Sequence, residues 1–263
     1  MSRTAGSQPT LATANFIGPL LLDVWNAVFR YLDAESAMNM AEAVPELKST
    51  AFSRTILRRV TFGPQTNEHT VRKFVELLDE QPAQHDYHAH GSRVRPFRLV
   101  EALRFTGCRT LPSPTIINSA GLFSNLRELY CVGCVVEPGK LFVILSQKLR
   151  CLETLQWSLF DGHFYNFKVC WEAAEEIRSL DKLEVSPSIN SMYVEVAAMC
   201  RTVYLLDIFV ARCGKLRSLH VHAMPPPHRP ASTSRLANSD IFNILRIWKR
   251  MVNLETCKFS CIS

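Results

Sequence analysis

The stretch LRELYCVGC, residues 126–134, sets apolar Leu126, Leu129 and Cys131 at intervals of three and two, with free positions between them. The same line returns at Val100-Leu103-Phe105, Leu152-Leu155-Trp157, Leu216-Leu219-Val221 and Leu254-Cys257-Phe259. Fainter copies are Leu57-Val60-Phe62 and Leu180-Leu183-Val185. The central residues step from 103 to 129 to 155, 26 residues each time, and then 28 to 183. Cys108 and Cys134 each stand three places beyond the third apolar residue of their line. A short line with side chains alternating about its backbone predicts one strand per copy, and the interval leaves room for one return segment.

Several return segments carry helical spacing. Val71, Phe74, Val75 and Leu78 make one face; Leu141, Phe142 and Leu145 follow Pro138, which suits a first helical turn. Further faces are Phe167, Cys170, Trp171, Ala174 and Ile177; Val196, Met199, Cys200, Val203 and Leu206; and Ile241, Ile244, Leu245, Trp248 and Met251. One strand-helix unit cannot bury such a stripe, so the units fold only as a stacked array. Pro82 and Gly91 mark an insertion from Gln81 to Pro96, and Pro225 to Pro227 with Pro230 mark another from Met224 to Arg235. Both are predicted to be loops, because proline lacks the donor that helix and strand require.

The spacing, with cysteine where that pattern wants Asn or Cys, resembles the leucine-rich repeat. It predicts an α/β horseshoe solenoid of about seven irregular repeats over 57–263, behind a disordered tail at 1–17 and a short helical segment at 18–56. The last line ends at Ser263 without a return helix or polar cap, which reads as an incomplete array. Such an array offers a surface rather than a pocket. Its free strand positions, Arg104, Tyr130, Gln156, Glu184, His220 and Lys258, flanked by Arg127 and Arg217, form the candidate substrate-binding face. Tyr130, Arg104 and Arg127 lead, since Tyr and Arg most often anchor interfaces.

The formal charge of +6 invites a nucleic-acid reading. On the strand lines, however, Arg58, Arg59, Arg104, Arg127, Lys182, Arg217 and Lys258 alternate with Glu101, Glu128, Glu153, Asp181, Glu184 and Glu255. A phosphate backbone selects a single-signed stripe, so this face argues against nucleic acid. No apolar run approaches the roughly 20 residues of a membrane helix, and residues 1–15 lack the apolar heart of a secretory signal. Nine cysteines in 263 residues, several inside apolar lines, fit free thiols in a reducing compartment, cytoplasmic or nuclear.

Residues 18–56 break the repeat. Leu20, Val24, Val28, Phe29 and Leu32 recur at helical spacing; Ala37, Met38, Met40 and Ala41 make a second group, and Val44, Pro45 and Leu47 open a third. Three short helices in so few residues leave apolar surface for a partner. The segment LLLDVWNAVFRYLDAESAMNMAEAVPELK (20–48) resembles the F-box, with Leu20, Asp23, Val24, Val28, Phe29, Tyr31 and Leu32 on or near its pattern. Leu21 stands where that pattern has proline, Val44 where it has cysteine, and Leu47 where it has tryptophan. Followed by ILRRVTF (56–62) and repeats, this is the layout of F-box/leucine-rich-repeat proteins. The resemblance implies a non-enzymatic substrate receptor of a cullin-RING ubiquitin ligase. It docks a Skp-type adaptor, and through it a cullin, by Leu20, Leu21, Val24, Val28, Phe29 and Leu32. The competing expectation is a leucine-rich scaffold or inhibitor outside ubiquitin chemistry.

Sharper motifs are accounted for by structure. Cys131 and Cys134 form a Cys-x-x-Cys, yet no second pair completes a zinc set, and both already have repeat positions. His85, His88 and His90 lie in the first insertion, where nothing fixes metal geometry. Gly-x-Ser-x-Gly, phosphate-loop and His-Glu-x-x-His motifs are all missing, so no catalytic, metal or cofactor site is expected.

Overall fold

The three-apolar line folds as a strand, and the strands join one parallel sheet in chain order. In the computed structural model the described residues are 19–81, 84–85, 93–134, 136–159, 189, 191–197, 215–224, 253 and 255–261. The sheet contains β1 (Arg59–Phe62), β4 (Ala102–Phe105), β5 (Glu128–Cys131), β6 (Thr154–Leu159), β7 (Ser191–Ala197), β8 (Ser218–Met224) and β9 (Thr256–Cys261), neighbours in that order. A separate antiparallel pair, β2 (Gln84–His85) with β3 (Arg93–Val94), stands in the first insertion, where the prolines and glycine predict only loop. The chain is thus mixed α/β with a seven-stranded parallel sheet and several helices.

Register places the central apolar residues in one row: Val60, Leu103, Leu129, Leu155, Met192, Leu219 and Cys257. All but Cys257 are buried. Helices α5 (Glu68–Asp79), α6 (Ser113–Ala120) and α7 (Pro138–Gln147) follow β1, β4 and β5, each packing on the next. Asn67 caps α5, its Oδ1 accepting from Thr70 N at 2.9 Å, and Val71, Phe74 and Leu78 turn into the core. Pro138 opens α7 as its position suggested, and Leu141, Ile144 and Leu145 are buried.

Before the sheet come α1 (Pro19–Phe29), α2 (Ala34–Ala43), a 3-10 turn at Pro45–Leu47, and the one-turn helices α3 (Lys48–Ala51) and α4 (Arg54–Leu57). Asp33 caps α2 through Ser36 N at 2.8 Å. The third apolar group is therefore broken into short turns rather than one helix. These elements share a single core with the sheet, running from Phe29 and Met38 through Phe52 and Phe74 to Leu219. Phe74 stacks on Phe52 at 6.3 Å and meets Phe62 edge-on at 5.5 Å, and Phe62 stacks on Phe105 at 5.1 Å. Each such pair adds about 0.5–1.5 kcal/mol beyond its buried area. Lys73–Glu42 at 2.6 Å and Lys48–Glu80 at 3.9 Å tie α5 to the N-terminal helices from outside. The core crosses the expected boundary between 56 and 57.

One strand assignment is corrected. The place between β6 and β8 belongs to Ser191–Ala197, with Met192 beside Leu155 and Leu219, rather than to the line at Leu180-Leu183-Val185. Ser191 to Val196 alternates polar and apolar with β-branched or aromatic members, the pattern that suits a half-buried strand. Val196, read as the start of a helix face, is in that strand. Glu184, the Phe167–Ile177 face, the rest of the Val196–Leu206 face, the Ile241–Met251 face and the proline insertion lie outside the described residues. Among the described residues no helix is long and apolar enough to cross a membrane.

Candidate protein-binding surfaces

The sheet has one face in the core and one half-open. On the open face the register aligns Thr61, Arg104, Tyr130, Gln156, Tyr193, His220 and Lys258, one side chain per strand. Five of the residues expected there from sequence are thus brought into one line. The sixth, Glu184, lies outside the described residues, and Tyr193 stands in the row between Gln156 and His220. All but Lys258 are partly buried by their neighbours.

These neighbours interact. The Arg104 guanidinium lies over the Tyr130 ring, 4.3 Å from its centroid, and 3.5 Å from Glu128. Tyr130 donates its hydroxyl to Glu128 Oε2 at 2.9 Å. Burial, then that hydrogen bond, raises the Tyr130 phenol above its ordinary pKa, so it remains a neutral donor. Arg104 Nε is buried and has no hydrogen-bond partner among the described residues. Tyr193 and His220 meet edge-on at 4.9 Å.

The flanking cations are occupied. Arg58 pairs with Glu101 at 2.8 Å, Arg127 with Glu153 at 2.6 Å and Arg217 with Glu255 at 3.5 Å, each pair linking neighbouring strands. These exposed pairs stabilise by about 0–1 kcal/mol each, but they neutralise the row. Arg127 and Arg217 therefore sit on the face as half of an ion pair, not as open anchors.

At the strand ends the cysteine positions explain themselves. Cys108 Sγ donates toward Gly63 O at 3.0 Å and Cys134 Sγ toward Phe105 O at 3.3 Å, each reaching back to the preceding strand's end. Gly107 and Gly133, at φ 65° and 73°, turn the chain just before them. Burial pushes the Cys131 thiol up to about 12, and Cys134 is pushed up by its hydrogen bond to Cys108 and by burial. These thiols are packing groups. Among the described residues no group of three His, Cys, Asp or Glu could hold a metal ion.

The second surface is α1 and the turn after it. Val24 is 58% exposed and Tyr31 91%, with Val28 half-buried. Phe29, expected on the docking face, is instead 1% exposed and packed against Trp25 at 6.5 Å. Leu32 is half-buried against the core, and with Phe29 it lines a small apolar cleft that β1 and Phe52 close. Heptad-like spacing marks Phe29 as apolar but does not say whether the sheet or a partner covers it. Leu20 and Leu21 are in α1; their side chains lie outside the described set. No protein-family model and no curated protein matches the chain.

Proposed function

We propose that the chain is an F-box/leucine-rich-repeat substrate receptor, with 18–56 docking a Skp-type adaptor and the sheet's open face holding a protein substrate. The observation that carries this reading is the parallel ladder in strict chain order, with strand centres 26 residues apart at 103, 129 and 155 and cysteines bonding back at the turns. That regularity supports the repeat array, a horseshoe of stacked strand-helix units. Helices packed against its first strand, with Val24 and Tyr31 turned to solvent, support an adaptor-docking end. The chain needs no chemistry of its own in this role. Holding a target beside an activated ubiquitin carrier raises the effective concentration of the reacting groups.

Affinity purification of the full chain under proteasome inhibition tests it. Adaptor and cullin should co-purify, and Val24→Glu with Tyr31→Ala should lose them, because a charge on this face would be desolvated in the partner groove. Failure to recover the adaptor with the unaltered chain would leave the scaffold or inhibitor reading in its place.

A further inference from the structure

Helix α1 carries an apolar stripe that the core does not use. Val24, Ala27 and Tyr31 are exposed and Val28 is half-buried. Spaced at three and four, they lie along one side of the helix, turned away from the buried Phe29. The helical path holds past Phe29, since Arg30 N donates to Asn26 O at 3.3 Å and Tyr31 N to Val28 O at 3.0 Å. Asp23 and Arg30 are exposed on one flank of this stripe; seven residues apart, they differ in direction by only about 20°. They stand about 10 Å apart along the axis, too far to meet one another. Among the described residues neither makes an ion pair, whereas Arg58, Arg127 and Arg217 on the sheet are all matched.

A stripe with one acid and one base on the same flank is complementary to itself. A two-fold axis perpendicular to α1, passing between Ala27 and Val28, sets a second helix antiparallel to the first. Each Ala27 then faces Val28 of the copy, and each Val24 faces Tyr31 of the copy. The same axis puts Asp23 on the flank that carries Arg30 of the copy, offset about 3 Å along the helix, which the arginine side chain spans. Two equivalent ion pairs form together, and the small Ala27 beside the axis lets the backbones approach. Charges at such a rim set orientation and register more than strength. The contact is about two turns long, short of the roughly 1,200 Å² of a stable interface, so the association is weak and reversible. We propose that α1 pairs antiparallel with α1 of a second copy of this chain through Val24, Ala27, Val28 and Tyr31, Asp23 of each against Arg30 of the other. This contact goes beyond the adaptor reading and does not depend on it. Where both hold, the copy and the adaptor exclude one another from the same helix face.

Sedimentation velocity of the purified full chain over a hundredfold range of concentration tests the contact. The unaltered chain should shift from monomer toward dimer as concentration rises. Asp23→Arg and Arg30→Asp should each weaken association about tenfold or more, because each sets like charges together at both ends of the pair. Mixed in equal amounts, these two variants should associate again, since each supplies the charge that the other lacks. Arg109→Asp, an exposed reversal in the turn after β4, should associate as the unaltered chain does. Circular dichroism of each variant checks its fold. An unaltered chain that stays monomeric throughout, association indifferent to Asp23→Arg, or a mixture of the two variants that stays monomeric overturns the proposal. No adaptor is in any sample, so loss of the adaptor reading and loss of this contact are separate results.

Discussion

At the scale of the residue, the turns after β4 and β5 carry the positive-φ glycines found among the described residues, Gly107 and Gly133. Gly133 has φ 73°, and a Cβ built there would stand 3.4 Å from Gly107 Cα, backbone that cannot swing aside. Gly133→Ala should destabilise the fold by about 1–2 kcal/mol, the cost of a left-handed residue with a side chain. Urea unfolding reads this as a lower midpoint at unchanged slope. The thiols beside these turns give a second prediction. Cys131, Cys134 and Cys108 are buried, and Cys151 is exposed. Iodoacetamide at mildly alkaline pH should label Cys151 before Cys108, Cys131 and Cys134, which stay protected until the protein unfolds; equal labelling rates for these four would contradict the packing described. The raised Cys131 pKa works in the same direction. A thiol whose folded value lies above its ordinary 9.0 contributes stability that is complete below 9.0 and disappears as pH rises through about 12. Cys108 and Cys134 were legible in the sequence, since their offset from the apolar line fixed their role. Tyr193 was not, because the spacing template preferred the leucines at 180 and 183 over a strand marked only by alternation.

At the scale of the element, α1 separates two kinds of apolar residue that periodicity treats alike. Leu20, Val24 and Val28 recur toward Phe29 and Leu32, yet Val24 is 58% exposed and Phe29 is in the core. Phe29→Ala should cost about 3–5 kcal/mol, as for a buried phenylalanine, and Phe29→Glu should prevent folding. Val24→Glu should move stability within about 0.5 kcal/mol, since it changes a surface position. Thermal unfolding of the three variants checks the contrast, and a mild Phe29→Ala would place that ring outside the core. Other elements were readable in unequal measure. The stripe of α5 is long enough for its period to appear, and Asn67 marks its start. Helix α6 passed unread because eight residues with Pro114 near the start show only Ile116 and Ile117 as a stripe. The group opened by Val44, Pro45 and Leu47 predicts one short helix where the chain forms a 3-10 turn and two one-turn helices, since apolar content alone does not show where a turn breaks.

At the scale of the molecule, stability is passed along the sheet from the N-terminal helices. Phe52, Phe74, Phe62 and Phe105 make a continuous aromatic chain from α3's end to β4. Deleting residues 1–57 should therefore expose one end of the core and lower the melting temperature of the remainder; an unchanged melting temperature would mean two independent domains. The opposite side of the sheet behaves differently. Among the described residues β9 is at the sheet's edge, hydrogen-bonded to β8 alone, and its Cys257 is half-buried where Leu129, in the same row, is 1% exposed. Amides of a parallel edge strand alternate between a bonded and an outward direction, so those without a partner strand exchange more readily. Hydrogen exchange followed by mass spectrometry should find residues 256–261 exchanging well before 128–131, whose strand is paired on both sides. Equal protection of the two strands would mean that the outer side of β9 is covered and that the stability of the array does not decline toward it.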